Sequence, residues 1–262
     1  MERIEMIDAI YHAINEDTRL TASRQGQLEY RTTMHYIHRL IPAGAKVLEV
    51  GAGTGRYSIA LAQEGCHVTA AELLKHNLQM LCEKGAELKN LHPCQADATD
   101  LHGFADNAFD ATLVLGPMYH LYTQADQHRA LDEAIRVTRP GGILMFAFLS
   151  VYAILYNNYL CGDFQDGLRE NVDAQGRIRH FQEQAFTGFD VEEFEALFAD
   201  KPVQKMALVG TDSVLELAQQ STRFQMSDEE FEAFAQYHLS ICEKRELLGT
   251  QSHLLYICRK TQ

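Results

Sequence analysis

The sequence lacks the features of a membrane or secreted protein. No apolar run approaches the roughly 20 residues that a transmembrane helix requires, since the longest candidate, residues 143–154, is interrupted by Ser150 and Tyr152. Polar residues follow Met1 directly, so no signal peptide is recognised. The cysteines form no Cys-x-x-Cys pair, which favours reduced thiols. We therefore expect a cytoplasmic protein that does not contact a membrane.

Positive charge is also scarce. The chain has 23 Lys and Arg residues against 36 Asp and Glu residues, which gives a formal net charge of -13. The densest basic stretches, around residues 177–179 and 244–245, are short, so no local patch offsets this balance. Because an acidic protein repels phosphate backbones at long range, the sequence argues against nucleic acid as a partner.

Internal repeats, low-complexity tracts and linkers are absent as well. With 46% hydrophobic and 23% charged residues, the chain has the composition of an ordinary globular protein rather than a disordered, collagen-like or coiled-coil one. A chain of this length removes roughly 75% of its unfolded surface from water on folding. We expect a single domain over residues 1–262.

Short apolar runs alternate with amphipathic stretches between residues 45 and 150. The runs at 47–50 and 109–115 are largely apolar, as in strands that are covered on both faces of a sheet. Amphipathic stretches such as 124–138 have helical spacing. This alternation predicts an α/β fold in which a doubly wound, mostly parallel sheet forms the core.

The flanking segments are interpreted as additions to that core. Residues 1–40 have apolar positions at helical spacing and predict an N-terminal helical cap. Residues 151–189 are rich in aromatic and polar side chains without a clear period, which is typical of an excursion over a site. Residues 190–262 predict C-terminal strands that are separated by a helical insertion at 211–250.

A glycine-rich turn follows the first predicted strand. Gly51, Gly53 and Gly55 stand at alternate positions between an apolar run and a helical segment. Glycine permits a positive φ and a close approach of the backbone to a ligand. At the carboxyl end of a strand in a doubly wound sheet, such a turn predicts a nucleotide-type cofactor site. The dinucleotide fingerprint Gly-x-Gly-x-x-Gly would need a third glycine at position 56, where this chain has Arg.

Polar or glycine-containing segments follow the next three predicted strands. Glu72 closes the second apolar run, where a carboxylate can accept hydrogen bonds from both hydroxyls of a ribose. Asp97 follows the third strand and could accept a hydrogen bond from an exocyclic amine, and residues 116–120 follow the fourth. Because the carboxyl ends of parallel strands meet at one edge, we expect these segments to converge on one site.

These motifs resemble those of the class I S-adenosylmethionine-dependent methyltransferases, and the segment 115–121 is similar to bacterial members that act on small molecules. The resemblance covers about residues 45–150 and implies a seven-stranded Rossmann-like sheet, S-adenosyl-L-methionine as cofactor and a small-molecule methyl acceptor. One departure is the stretch of about forty residues, 211–250, in place of the usual tight hairpin between the last two strands. The positions expected to bind the cofactor are Glu49, Gly51, Ala52, Gly53, Gly55, Glu72, Leu73, Asp97, Ala98 and Leu115.

The sequence also offers candidates for catalysis and for binding of the methyl acceptor. Tyr119 and His120 follow the fourth strand, and a histidine there could accept a proton from the nucleophile. Plain packing of the loop is the alternative for His120. The aromatic and basic residues that we expect to line an acceptor pocket are Tyr30, Arg31, Tyr152 and Tyr156.

Other interpretations of the same residues stay open. His35 and His38 have helical spacing but lack an apparent acidic third ligand, so no metal site is predicted. A non-catalytic protein that binds S-adenosylmethionine or S-adenosylhomocysteine would use the same cofactor residues. A nicotinamide-dependent oxidoreductase would also explain a strand, a glycine turn and an acidic residue. The sequence does not fix the oligomeric state, for which we keep a homodimer as a hypothesis.

Overall fold

A computed structural model describes residues 3–13, 16–160, 162–181 and 183–262 of the chain. Three helices precede the sheet: α1 (Arg3–Ala13), α2 (Arg19–Ala22) and α3 (Arg24–Leu40). The first half of the core contains β1 (Lys46–Val50), α4 (Arg56–Gln63), β2 (His67–Glu72), α5 (Lys75–Lys84), β3 (Leu91–Gln95), β4 (Phe109–Val114) and a 3-10 helix (Pro117–His120).

The remaining elements complete the sheet and cover it. They are α6 (Gln124–Val137), β5 (Thr138–Ser150), α7 (Val151–Tyr159), α8 (Phe164–Asn171), β6 (Gly188–Phe189), α9 (Val191–Ala196), β7 (Val203–Gly210), α10 (Leu215–Gln219), α11 (Asp228–Ile241), α12 (Arg245–Leu248) and β8 (His253–Lys260).

The sheet is mostly parallel and doubly wound, which confirms the predicted fold class. Its strand order is β3-β2-β1-β4-β5-β8-β7, and the two-residue β6 pairs with the end of β5. Strands β1 to β5 run parallel, whereas β8 is antiparallel to both of its neighbours. The order reverses beside β1, where β4 pairs on its other side. Ligands bind at such a reversal point, outside the carboxyl ends of the strands.

Both faces of the sheet are buried, which explains why its strands are apolar at successive positions. Val47 and Leu48 point to opposite faces because side chains alternate along a strand, and each belongs to a different apolar cluster. Helices cover both faces. Rigid strands buried on both sides therefore hold the loops at the carboxyl edge in fixed positions.

The segments outside the core are more regular than their sequence pattern indicates. Residues 151–189, which show no helical period, contain α7 and α8. The buried positions of α7 are Val151, Ala153 and Leu155, a spacing of two that hides its helical character. The insertion at 211–250 contains α10, α11 and α12, and β7 and β8 pair antiparallel across it. Among the described residues, every helix is too short or too polar to cross a bilayer.

Candidate active site

A cavity of about 800 Å³ lies at the carboxyl edge of the sheet. Such a volume is typical of a site for a small molecule or a cofactor. One end, here called the glycine-turn end, is formed by residues 51–54 and by the segments that follow β2 and β3. The other, here called the β8 end, is formed by the end of β5, by α7, by α10 and by the start of β8.

Three glycines shape the turn after β1, and each has a positive φ: 73° at Gly51, 56° at Gly53 and 92° at Gly55. A β-carbon on Gly51 would lie 2.7 Å from Cδ of Pro117, so Gly51 permits close packing. A β-carbon on Gly53 would meet only the side chain of Glu16, at 3.6 Å. Gly53 is therefore the position at which a ligand can approach the backbone within the cavity.

The side chain of Glu72 connects this turn to the end of β2 through hydrogen bonds. Its Oε2 accepts a hydrogen bond from the amide of Gly53 at 2.7 Å, and its Oε1 accepts one from the amide of Leu74 at 2.8 Å. Burial raises the pKa of the carboxyl group. Because the group borders the cavity, the remaining lone pairs of both oxygens can accept hydrogen bonds from a ligand.

Glu49 lies within β1 and is almost completely buried. Its Oε2 accepts a hydrogen bond from the hydroxyl of Ser58. Burial raises the pKa of Glu49 to about 8, so its carboxyl group is protonated at neutral pH and can itself donate a hydrogen bond into the cavity.

Asp97 follows β3 at the same end of the cavity. Its Oδ1 accepts hydrogen bonds from the amide and the hydroxyl of Thr99, at 2.9 and 2.8 Å. Its other oxygen forms an ion pair with the guanidinium group of Arg3, which comes from α1. The N-terminal helix therefore reaches across the cavity to a residue that the sequence assigns to cofactor binding.

The structure brings nine of the ten expected cofactor residues to this cavity. Gly55 lies outside the lining, because it is the N-cap residue directly before α4 and packs against Leu81. The nine that border the cavity are Glu49, Gly51, Ala52, Gly53, Glu72, Leu73, Asp97, Ala98 and Leu115.

His120 is buried in the 3-10 helix after β4 and borders the cavity. Its Nδ1 lies 3.1 Å from the carbonyl oxygen of Ala185, which can only accept, so Nδ1 carries the proton. Its Nε2 then accepts a hydrogen bond from the hydroxyl of Tyr11 at 3.1 Å. Burial lowers the pKa of His120 to about 4, so the ring is neutral and its basic lone pair is occupied by Tyr11.

Tyr119 precedes His120 and also borders the cavity. Its hydroxyl group is buried and has no hydrogen-bond partner among the described residues. Burial raises the pKa of Tyr119 well above its ordinary value, so the hydroxyl stays protonated. The centre of its ring lies 5.9 Å from that of His253, toward the β8 end.

A buried ionic network forms the wall of the β8 end. Arg19 donates to both carboxylate oxygens of Glu29, at 2.7 and 3.0 Å. Gln25 donates to Oδ2 of Asp212 at 2.8 Å, and Nδ1 of His253 lies 2.8 Å from the same oxygen. Burial alone would lower the pKa of His253, but the carboxylates of Glu29 and Asp212 raise it to about 9. His253 is therefore cationic at neutral pH.

The sequence analysis missed this network and the part that the N-terminal segment takes in the cavity. No motif singles out its members, because contacts such as those from Gln25 and His253 to Asp212 join residues that are far apart in the chain. The pattern identified residues 1–40 as a helical cap and placed only Tyr30 and Arg31 of this segment at the cavity. The residues of the N-terminal segment that border the cavity are Arg3, Ile7, Tyr11, Glu16, Arg19, Leu20 and Gln25.

The four expected acceptor-pocket residues do not line the cavity. Tyr30 packs against Tyr57 with ring centres 5.2 Å apart, under α4. Arg31 pairs with Glu232 at the surface. Tyr152 and Tyr156 are 40% and 39% exposed, because α7 turns the face with Ala153, Ile154 and Asn157 toward the cavity.

Two groups of potential metal ligands have other partners. Donor atoms of Asp212, Glu216 and His253 lie within 4.8 Å of one another. The proton on His253 and the amide of Gln25 already satisfy Asp212, so a metal ion would have to displace both. Of the histidine pair in α3, His38 lies 2.8 Å from Glu64, and His35 contacts Tyr36 edge to face.

Residues 48–146 match a protein family described as a methyltransferase domain. A demethylmenaquinone methyltransferase of Clavibacter sepedonicus is 36% identical over 108 residues, which are 41% of this chain and 42% of the relative. A putative methyltransferase, YqeM, of Bacillus subtilis is 30% identical over 120 residues, 45% of this chain and 48% of the relative. The chain thus spans less than half the length of each of these relatives.

Two solved structures resemble the whole chain in fold. The N-methyltransferase NodS of Bradyrhizobium japonicum, in complex with S-adenosyl-L-homocysteine, has a TM-score of 0.61 and 13% identity, and all of both chains is covered. A putative methyltransferase of Haloferax volcanii, in complex with the Trm112 activator, has a TM-score of 0.62 and 18% identity, and 98% of each chain is covered. At these identities the likeness shows the fold alone.

Proposed function

We propose that this chain, whose residues 48–146 match the methyltransferase-domain family, transfers a methyl group from S-adenosylmethionine to a small-molecule acceptor. One observation carries the proposal. Gly53, Glu72 and Asp97, which are far apart in the sequence, border one end of a single cavity at the carboxyl edge of the sheet. The domain match supports methyl transfer over the nicotinamide alternative.

The residues at the glycine-turn end fit this cofactor. A β-carbon on Gly53 would occupy cavity space, so glycine leaves room for the ligand against the backbone. The Glu72 carboxylate would hold the ribose hydroxyls, with its position fixed by the two backbone amides that it already accepts from. Asp97 would accept a hydrogen bond from the adenine amine beside its ion pair with Arg3.

Methyl transfer from a sulfonium requires little general acid-base catalysis from the protein. When bound, S-adenosylmethionine supplies a methyl group that its sulfonium centre already activates for in-line displacement. The protein's task is to align the acceptor and exclude water, which can supply roughly 7–11 kcal/mol of the barrier. Closure of the cavity by α1, through Arg3 and Tyr11, serves the exclusion of water.

We assign Tyr119 and His120 to the region where the methyl group is transferred, because both lie between the two ends of the cavity. His120 is neutral, and its Nε2 accepts from Tyr11. For a hydroxyl acceptor, His120 can act as a base only when the Tyr11 hydroxyl turns away from Nε2. For a nucleophile that needs no base, His120 and Tyr11 serve to position the acceptor.

The proposal also includes a cytoplasmic location and a homodimeric state. The described cysteines are free thiols, which supports a reducing cytoplasm. The homodimer stays a hypothesis, in which the 211–250 insertion, with its exposed side chains of Val214, Leu217 and Tyr237, would contact the second copy. Light scattering of the purified protein tests the dimer, and a monomeric mass would exclude it.

Calorimetric titration tests the proposed cofactor. The protein is titrated with S-adenosylmethionine, S-adenosylhomocysteine and oxidised nicotinamide dinucleotide, and we expect only the first two to bind. The Glu72→Ala variant should bind them more weakly by about 1.5–3 kcal/mol, the free energy of a hydrogen bond to a charged group.

Glu87→Ala removes an exposed carboxylate outside the cavity and serves as the matched control. Unchanged affinity in Glu72→Ala would refute the ribose assignment. Binding of the dinucleotide instead would replace methyl transfer with the oxidoreductase alternative. Binding without turnover on a broad panel of acceptors would favour a non-catalytic sensor.

A further inference from the structure

The charges at the β8 end of the cavity do not balance. Arg19 is neutralised by Glu29, and the cationic His253 by Asp212. Glu16, which also lies over Gly53, adds a second carboxylate to Arg19, with its Oε1 3.5 Å from Nε. Three further carboxylates border the cavity: Glu170, which accepts a hydrogen bond from the Tyr159 hydroxyl, Glu183, which is exposed to solvent, and Glu216 on α10, which is partly buried.

Glu216 has no hydrogen bond or ion pair with another described residue. Its carboxylate lies within 4.8 Å of donor atoms of Asp212 and His253, so it stands next to a second carboxylate whose charge is already paired. A partly buried carboxylate without a partner has an unfavourable free energy that an incoming cation would remove.

An independent observation points to a ligand at the same place. The Tyr119 hydroxyl is unpaired, and the side chain is only 5% exposed. Its ring lies beside His253, on the side of the cavity that Glu216 borders. A buried hydroxyl group costs free energy without a hydrogen-bond partner, and its oxygen can accept a hydrogen bond from an N–H group.

We infer that the methyl acceptor carries a positively charged nitrogen, as an ammonium or guanidinium group, which Glu216 and Tyr119 bind at the β8 end of the cavity. The inference rests on the proposed function, since it names the class of acceptor for that site. It makes Glu216 a residue that determines specificity.

Neither the cofactor nor a metal ion accounts for this unpaired charge. His253 pairs with Leu149 of β5, and β8 is three strands away from β1, which is roughly 14 Å at the usual spacing of strands. The residues proposed to bind the cofactor lie mainly at the ends of β1, β2 and β3, on the opposite side of the sheet edge from β8. A metal ion would require the loss of the His253 proton and of the hydrogen bond from Gln25 to Asp212.

Three para-substituted phenols of similar size test the inference. Protein saturated with S-adenosylhomocysteine is titrated with tyramine, 4-ethylphenol and 4-hydroxyphenylacetate, which differ in carrying a cation, no charge or an anion. We expect tyramine to bind about tenfold more tightly than 4-ethylphenol, and the carboxylate to bind most weakly. Glu216→Gln should remove most of the preference for tyramine, whereas the exposed control Glu229→Gln should keep it.

The outcomes separate this inference from the proposed function. Failure of S-adenosylhomocysteine to bind would refute the function itself. If it binds, three results overturn the acceptor class alone: a preference for the carboxylate, no binding of tyramine at millimolar concentration, or displacement of tyramine by Zn²⁺. An unchanged preference in a folded Glu216→Gln variant would exclude Glu216, and the wild-type series decides the question if that variant does not fold.

Discussion

The two ends of the cavity differ in the contacts that hold their polar groups in place. The glycine-turn end relies largely on backbone: two amides hold Glu72, and the amide of Thr99 helps to hold Asp97, which also contacts the Thr99 hydroxyl and Arg3. The β8 end relies on side chains, in a buried network that joins Arg19 and Glu29 of the N-terminal segment to Asp212 and His253.

The two ends would therefore bind different kinds of ligand. A backbone amide is present whatever side chain its residue carries, so the amides at the glycine-turn end suit a ligand that stays the same. A network of charged side chains is open to substitution, so the β8 end suits the ligand that varies between enzymes of one fold. The cost is that the variable end depends on buried charges, each of which must keep its partner.

The largest expected effect comes from breaking the network at its centre. Glu29→Gln removes the carboxylate that neutralises Arg19 and supports the cationic His253. Because both cations are largely buried, we expect the free energy of unfolding to fall by about 3 kcal/mol in urea denaturation. Glu232→Gln breaks an exposed ion pair with Arg31 and should leave stability unchanged. Equal stability of the two variants would mean that the network contributes nothing.

The protonation of His253 makes the β8 end sensitive to pH. Its pKa is raised from 6.5 to about 9 in the folded protein, so its stabilising contribution is complete below about pH 6.5 and is lost as pH rises to about 9. The groups that face it are Glu29, Asp212, Arg19 and the nearby Glu216. We expect wild type to lose up to about 3 kcal/mol more than His253→Gln across this range.

The comparison with the variant is needed because a second group titrates in the same window. Glu49, with a pKa raised to about 8, is protonated in the folded protein and also costs stability as pH rises toward 8. The Glu49 contribution is common to both proteins and cancels in their difference. Urea denaturation at several pH values gives the two curves, and parallel curves would mean that His253 is neutral.

Sequence alone could predict the glycine-turn end because its signals are local. A strand, three glycines and a helix follow one another within about a dozen residues, and Glu72 ends the very next strand. The parallel arrangement then brings Asp97 and residues 115–120 to the same edge without any knowledge of side-chain packing. The fold class follows from the same alternation of strands and helices.

The β8 end could not be predicted in the same way. Gln25 contacts Asp212 across 187 positions of the chain, and nothing in either local sequence indicates the pair. The pocket assignments for Tyr30, Tyr152 and Tyr156 depended on which way each helix is rotated, and both helices turn those rings away from the cavity. Composition identified aromatic residues near the site but not the face on which they lie.

The smallest expected effect isolates the backbone character of the glycine-turn end. Gly53 and Gly65 both have a positive φ, of 56° and 94°, so alanine at either position should cost about 1 kcal/mol of stability. Only Gly53 borders the cavity, and a β-carbon on Gly65 would meet nothing within 4 Å. Gly53→Ala should therefore weaken S-adenosylhomocysteine binding about tenfold, since the methyl group takes ligand space, which corresponds to about 1.4 kcal/mol. Gly65→Ala should bind it as wild type does in calorimetry. If both variants lose affinity equally, backbone strain is responsible for the loss. The ligand would then not be recognised by close approach to the main chain at Gly53.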